Sequence, residues 1–228
     1  MHSIHHLLLG VGDVEALILD LRRREAERSS IRTCCAGCKR VFTLKELSKA
    51  ISMLREEGID GYIIGDTVLG LTMKKREFEG DVDLFTTSIS PFVEEDLVRT
   101  IADKHGWTVG YTELGTPSIT LRVNSNEIRV DLYENIMDFY IPLEALSMCR
   151  KSIVVESTEI RYVAVECWAV FKAKRGAMTD MNDLATLKQM VDEGVLKLDR
   201  SLLKSVIELY EDESRYIVDR LRSLGFKI

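Results

Sequence analysis

The feature that most constrains this chain is a pair of aspartates inside an apolar strand. Residues 81–87 read Asp-Val-Asp-Leu-Phe-Thr-Thr. Side chains alternate faces along a strand, so Asp81 and Asp83 stand side by side on one face and Val82 on the other. Like charges that close repel, and strand interiors ordinarily avoid aspartate. Either a positive group or water must therefore meet that face.

The surrounding sequence supplies a frame. Thr43 with Glu46 three residues on is a capping-box pattern that opens a helix running through Leu47, Ile51 and Leu54 to about Gly58. Residues 61–65 (Gly-Tyr-Ile-Ile-Gly) read as a buried strand and 66–71 as a short helical turn. The polar run 74–80 precedes the aspartate strand, and residues 90–106 form a helix with Ser90 as cap and Pro91 in its first turn. Three strand-like segments follow, at 107–113, 118–124 and 127–134, the last two joined at an Asn124-Ser125-Asn126 hairpin turn. From about Pro142 the chain is mainly helical, after a short strand pair at 151–157 and 160–165. The expected domains are a helical extension over residues 1–40, a core over 41–141 and a mainly helical region over 142–228.

The chain has 228 residues, 46% hydrophobic and 30% charged, enough for a real core. A net charge of −6 gives no global basic field for nucleic acid, so only a local patch could serve. No apolar run nears the roughly 20 residues of a bilayer span, and residues 1–20 lack the charge pattern of a signal peptide. A cytoplasmic protein is expected. One glutamine and four asparagines beside abundant Lys, Arg and Glu follow the bias of thermophiles, where intracellular disulfides do occur, so the redox state of the five cysteines stays open.

The segment 127–134 carries a third strand aspartate, Asp131, which an antiparallel pairing would set beside the Asp81–Asp83 strand. Three carboxylates on one sheet face form a hard-oxygen site suited to Mg²⁺, and two such ions can clamp the attacking and leaving oxygens of a phosphoryl displacement. Upstream, Gly65 lets backbone approach a ligand, and Thr67 with the amides after it would face phosphate.

These residues carry a resemblance. The sequence Ile-Ile-Gly-Asp-Thr-Val-Leu-Gly-Leu, then Glu-Gly-Asp-Val-Asp-Leu-Phe, then Arg-Val-Asp-Leu-Tyr resembles the nucleotidyltransferase superfamily of the polymerase-β-like fold, closest to its AbiEii-like, type IV toxin-related members. Downstream, Glu166, Lys172, Asp180, Asp183 and Leu184 resemble the helical part of those proteins. The resemblance spans about residues 43–190 and implies an α+β fold: a mixed sheet flanked by helices, with a helical C-terminal region closing a nucleotide cleft. It implies a Mg²⁺-dependent enzyme moving a nucleoside monophosphate from an NTP to a hydroxyl on RNA, protein or a small molecule. Asp81, Asp83 and Asp131 would hold two metal ions, and Asp131 would also help deprotonate the acceptor. Gly65 and Thr67 would cradle the phosphates. Lys172 would neutralise the triphosphate or contact the base, unless it is a plain surface lysine.

Asp66 departs from the pattern, standing where the family has a second glycine. A carboxylate beside a triphosphate repels it unless it turns away or binds metal. The alternative is therefore a catalytically inactive relative that binds nucleotide or a partner protein, as in a toxin–antitoxin-like pair. Asp180 and Asp183 share a helical face and are read as structural, paired with nearby Lys or Arg. Lys74, Lys75 and Arg76 form either a solvated loop or an attractor for triphosphate or an RNA end. Cys35 and Cys38, with His2, His5 and His6, are half of a zinc pattern without its second pair, so a loop thiol cluster or a disulfide is the favoured reading there, and Cys149 and Cys167 are read as core residues. His105 suits a helix C-terminus. Residues 1–40 are open to use as a lid or as a dimerisation arm, which leaves a homodimer open.

Overall fold

The computed structural model describes residues 41–136 and 139–228. Residues 14–28 carry an amphipathic helical pattern; that segment, the rest of the 1–40 extension and the Cys35/Cys38 cluster lie outside the described residues. Nine strands are described: β1 Val41–Thr43, β2 Gly61–Ile63, β3 Glu77–Glu79, β4 Val82–Thr86, β5 Thr108–Tyr111, β6 Pro117–Val123, β7 Asn126–Tyr133, β8 Arg150–Val155 and β9 Thr158–Val163. The described helices are α1 Leu44–Glu56, α2 Thr67–Thr72, α3 Glu95–His105, α4 Leu143–Met148, α5 Val165–Arg175, α6 Met178–Asp192, α7 Arg200–Glu208 and α8 Ser214–Ser223. The fold is α+β, a mixed sheet with flanking helices.

Seven strands build the main sheet in the order β5-β6-β7-β4-β2-β9-β8, while β1 and β3 form a separate antiparallel pair. Strand β4 is central and buried on both faces, with Val82 and Leu84 on one side and Phe85 on the other. Its partner β7 runs parallel to it, with Asp83 opposite Asp131. This corrects the antiparallel expectation. Strands β5, β6 and β7 form an antiparallel meander, and that meander delivers β7 to β4 in the parallel sense. Strands β8 and β9, although beyond Pro142, extend the same sheet on the far side of β2.

Local chemistry explains most boundaries. The Thr43 hydroxyl accepts from the Glu46 amide (3.2 Å) and the Thr43 amide donates to the Glu46 carboxylate (2.8 Å), so the capping box starts α1 as expected. The β6–β7 hairpin closes over Asn124, which adopts a left-handed φ of 56°. At residues 90–94 the Ser90 hydroxyl accepts from Val93 N, but this cap closes only a turn, and α3 begins at Glu95. Helical periodicity runs through residues 199–225, but the chain forms two helices there, broken at Glu211 with a φ of 45°. Strand β3 was hidden in the polar run 74–80, where Phe78 alone is buried and stacks on Phe42. Cys149 and Cys167 are fully buried, as expected of core residues, and form a disulfide that ties the end of α4 to the start of α5. No helix among the described residues is long and apolar enough to cross a membrane.

Candidate functional site

The central strand and helix α5 face each other across a cleft of about 220 Å³. Its floor is Asp83 beside Gly65 and Ile64, and its cationic wall is Lys172, Lys174 and Arg175 of α5. Tyr133, Phe139, Tyr140 and Phe171 give an aromatic side, with Leu114, Ile141 and Glu113 completing the lining.

Each part follows from strand and helix periodicity. Asp81, Asp83 and Phe85 share one face of β4, and Arg129, Asp131 and Tyr133 share one face of β7. Parallel register sets these rows side by side. Tyr133 packs on Phe139 (centroids 5.3 Å apart), and Phe139 is held by paired backbone bonds with Ile136 (2.9 and 3.0 Å). The Asn135 side chain clamps both polar groups of Ile141, which fixes the loop against the cleft. On α5, Phe171 with Lys174 and Arg175 are i, i+3 and i, i+4 neighbours on one helical face. Arg220 donates to the carbonyls of Ala173 and Lys174, satisfying the end of that helix.

Gly65 is required by Asp83 itself. A Cβ at position 65 would lie 1.5 Å from Asp83 Oδ2, so the aspartate seats against bare backbone. Asp83 is half-buried, and no donor among the described residues bonds its carboxylate. Burial, then the like charges of Asp131 and Asp66, push its pKa up to about 7, against the pull of Lys172 and Arg175. Burial also raises the Tyr133 hydroxyl, with Asp83 and Asp131 adding to it.

Lys172 is no surface lysine. Its side chain is 12% exposed, bonded to Asp183 (2.7 Å) and Asp66 (2.8 Å) and 3.4 Å from Asp180. Burial works against its charge, but the bonds to Asp183 and Asp66 outweigh this and hold its pKa above the usual lysine value. Asp66 is thus turned to a cation, which removes the repulsion that its place in the glycine turn implied. Asp180 is fully buried and takes two bonds from Arg175, one of 2.6 Å, and one from Ala177 N. Burial opposes its charge, yet these bonds and the charges of Arg175 and Lys172 keep its pKa below the ordinary range. Asp180 and Asp183 are paired with Lys172 and Arg175, as read from their spacing.

Of the residues singled out from sequence, Asp83, Gly65 and Lys172 line the cleft; Asp81, Asp131, Asp66 and Thr67 do not. Thr67 is buried at the start of α2, and Lys74, Lys75 and Arg76 are exposed outside the cleft. His105 ends α3 with its Nε2 2.8 Å from Glu57 and its ring stacked on Trp107, away from the cleft.

Arg129 and Arg175 were missed, although each sits one strand repeat or one helical turn from a residue already singled out. The aromatic wall was also missed, since Phe139, Tyr140 and Phe171 reach the cleft only through tertiary packing. The donor set of Asp81, Asp83 and Asp131 is all hard oxygen and suits Mg²⁺. Among the described residues, however, no three such side chains are already gathered as a metal cluster.

The family described as nucleotidyl transferase of unknown function (DUF2204) matches residues 43–223. No curated protein matches the chain. Among solved structures it is similar to an antigenic nucleotidyltransferase-like protein from Paracoccidioides brasiliensis, at 15% identity and a TM-score of 0.46, over 81% of this chain and 91% of that one.

Proposed function

We propose the following chemistry for this chain, which belongs to the nucleotidyl transferase family of unknown function (DUF2204): a Mg²⁺-dependent transfer of a nucleoside monophosphate from an NTP to an acceptor hydroxyl. One observation carries it. One aspartate at the floor, Asp83, whose register partner on β7 is Asp131, faces Lys172, Lys174 and Arg175 across an aromatic-sided cleft. That layout fits a triphosphate held through a divalent ion at the floor and through Lys172, Lys174 and Arg175 above it, with its base against Tyr133, Phe139 and Phe171. Mg²⁺ is characteristically held by one or two carboxylates together with substrate phosphates. Asp83 would be its main protein ligand and would supply, through it, charge stabilisation at the reacting phosphate.

In the reaction the acceptor's hydroxyl oxygen bonds to the α-phosphorus. The bond from that phosphorus to the bridging oxygen breaks, and pyrophosphate leaves with its electron pair. The hydroxyl proton leaves to solvent. Asp66 does not oppose this chemistry, because it does not line the cleft and is turned to Lys172 at 2.8 Å. The run of Lys172, Asp180, Asp183 and Leu184 favours kinship with the AbiEii-like branch. The acceptor is an RNA, protein or small-molecule hydroxyl.

The test is calorimetric titration of each NTP, with and without Mg²⁺, into wild type and Asp83→Ala, followed by measurement of pyrophosphate release with candidate acceptors. Mg²⁺-dependent binding is expected in wild type. Its release rate should fall on the order of 10²–10³ in Asp83→Ala, the usual effect of losing a preorganised electrostatic group. Absence of binding for all four NTPs would refute the proposal and leave the inactive, partner-binding relative as the better account.

A further inference from the structure

We propose that Arg129 permanently takes the place of one of the two divalent cations, so that the cleft binds a single Mg²⁺, at Asp83. This rests on the nucleotidyltransferase reading above. Arg129 lies two residues before Asp131 on β7 and shares its face. Its Nε donates to Asp131 Oδ1 at 2.6 Å and lies 3.9 Å from Asp81 Oδ2. Its Nη2 donates to the Tyr111 carbonyl at 2.8 Å, which anchors the guanidinium to the backbone of β5. The side chain is 27% exposed and that of Asp131 10%, so this is a built contact rather than a surface encounter.

The result is an asymmetric triad. Asp81 and Asp131 are both within reach of one fixed positive charge, while Asp83 alone of the three lines the cleft. A divalent ion seated between Asp81 and Asp131 would have to sit against the guanidinium, and two cations that close repel. Across the cleft the triphosphate faces Lys172, Lys174 and Arg175, of which Lys172 and Arg175 are also bonded to aspartates. Asp131 is then a positioning residue that holds Arg129 through their 2.6 Å bond.

The test counts metal ions directly. Mn²⁺ bound per chain is measured by electron paramagnetic resonance, in the presence of the α,β-methylene analogues of the four NTPs. Wild type should bind one Mn²⁺, Asp83→Ala none, and Arg129→Met two. Two ions in wild type would overturn the inference while leaving the nucleotidyltransferase reading intact. One ion in a folded Arg129→Met, checked by thermal melting, would also overturn it. If that variant does not fold, Arg129→Gln is counted instead, since its amide can still donate to Tyr111 O. No bound Mn²⁺ with any analogue would overturn both readings together.

Discussion

Two aspartate pairs, one on strand β4 and one on helix α6, look alike in sequence and differ in their physics. Asp180 and Asp183 on α6 are answered by Lys172 and Arg175, which approach from α5 at hydrogen-bonding distance. Asp83 on β4 meets another carboxylate, Asp131, as its register partner and receives no hydrogen bond to its carboxylate among the described residues. The first pair has its pKa lowered at Asp180 and the second has it raised at Asp83. A D-x-D or D-x-x-D spacing does not decide between structure and function. What decides is whether the fold supplies the counter-charge or leaves it to a ligand.

The comparison predicts mutations of opposite sign. Asp180→Ala leaves Arg175 and Lys172 facing a void, and breaking a buried pair costs roughly 3 kcal/mol, at the lower end because Arg175 is half-exposed. A fall in Tm of roughly 6–12 °C is expected, and a wild-type melting curve would show that the pair is not structural. Gly65→Ala should cost roughly 2–3 kcal/mol, since its Cβ would overlap Asp83 Oδ2 and force that side chain out of its seat. Mg²⁺-dependent NTP binding should weaken with it; unchanged affinity would mean that the seat of Asp83 does not matter to the cleft.

Asp83→Asn should go the other way. Asp83 titrates at about 7 in the fold and near 3.9 in the unfolded chain. Between those values the native state holds more protons, so metal-free wild type loses stability as pH rises from about 4 to 7 and does not recover it above. The neutral amide carries no such penalty. Metal-free Asp83→Asn should therefore be more stable than wild type by roughly 2 kcal/mol at pH 8, reduced from the full shift by water at the cleft mouth, and by little at pH 4. Denaturant titrations at the two pH values check this, and equal differences at both would show that Asp83 is not strained by its neighbours.

Much of this contrast is legible in the amino-acid sequence. Alternation along residues 81–85 and 127–133 put the three aspartates on sheet faces, and the capping box and the Asn124 hairpin fixed two boundaries. The spacing of Asp180 and Asp183 pointed correctly to nearby cations. Strand direction was not legible, because it depends on how many strands intervene between β4 and β7. The same long-range packing hid the pairing of Lys172 with Asp66, and the arrival of Phe139 and Tyr140 at the cleft. Arg129 was legible in principle: the alternation that placed Asp131 places it on the same face. A positive group was required beside the aspartates, and the chain carries one two residues away.

A third carboxylate separates burial from charge as the cause of strain at Asp83. Glu46 is also buried, but it accepts from the amide and hydroxyl of Thr43 and from the Asn126 side chain (2.8, 2.9 and 2.9 Å). Burial pushes its pKa up, yet these bonds win and hold it below the ordinary range. Neutral donors alone therefore suffice to settle a buried acid, and Asp83 differs in lacking them and in facing like charge. Removing one donor, in Thr43→Ala, should cost about 1 kcal/mol at pH 7, the usual value of a helix cap. Because the folded pKa of Glu46 is depressed, that contribution is present above the unfolded value and is lost as pH falls through the folded one. The cost should shrink as pH falls below the ordinary carboxylate range, and NTP binding should not change, since neither Thr43 nor Glu46 lines the cleft. A cost independent of pH would mean that the cap acts through helix geometry alone and not through the charge of Glu46.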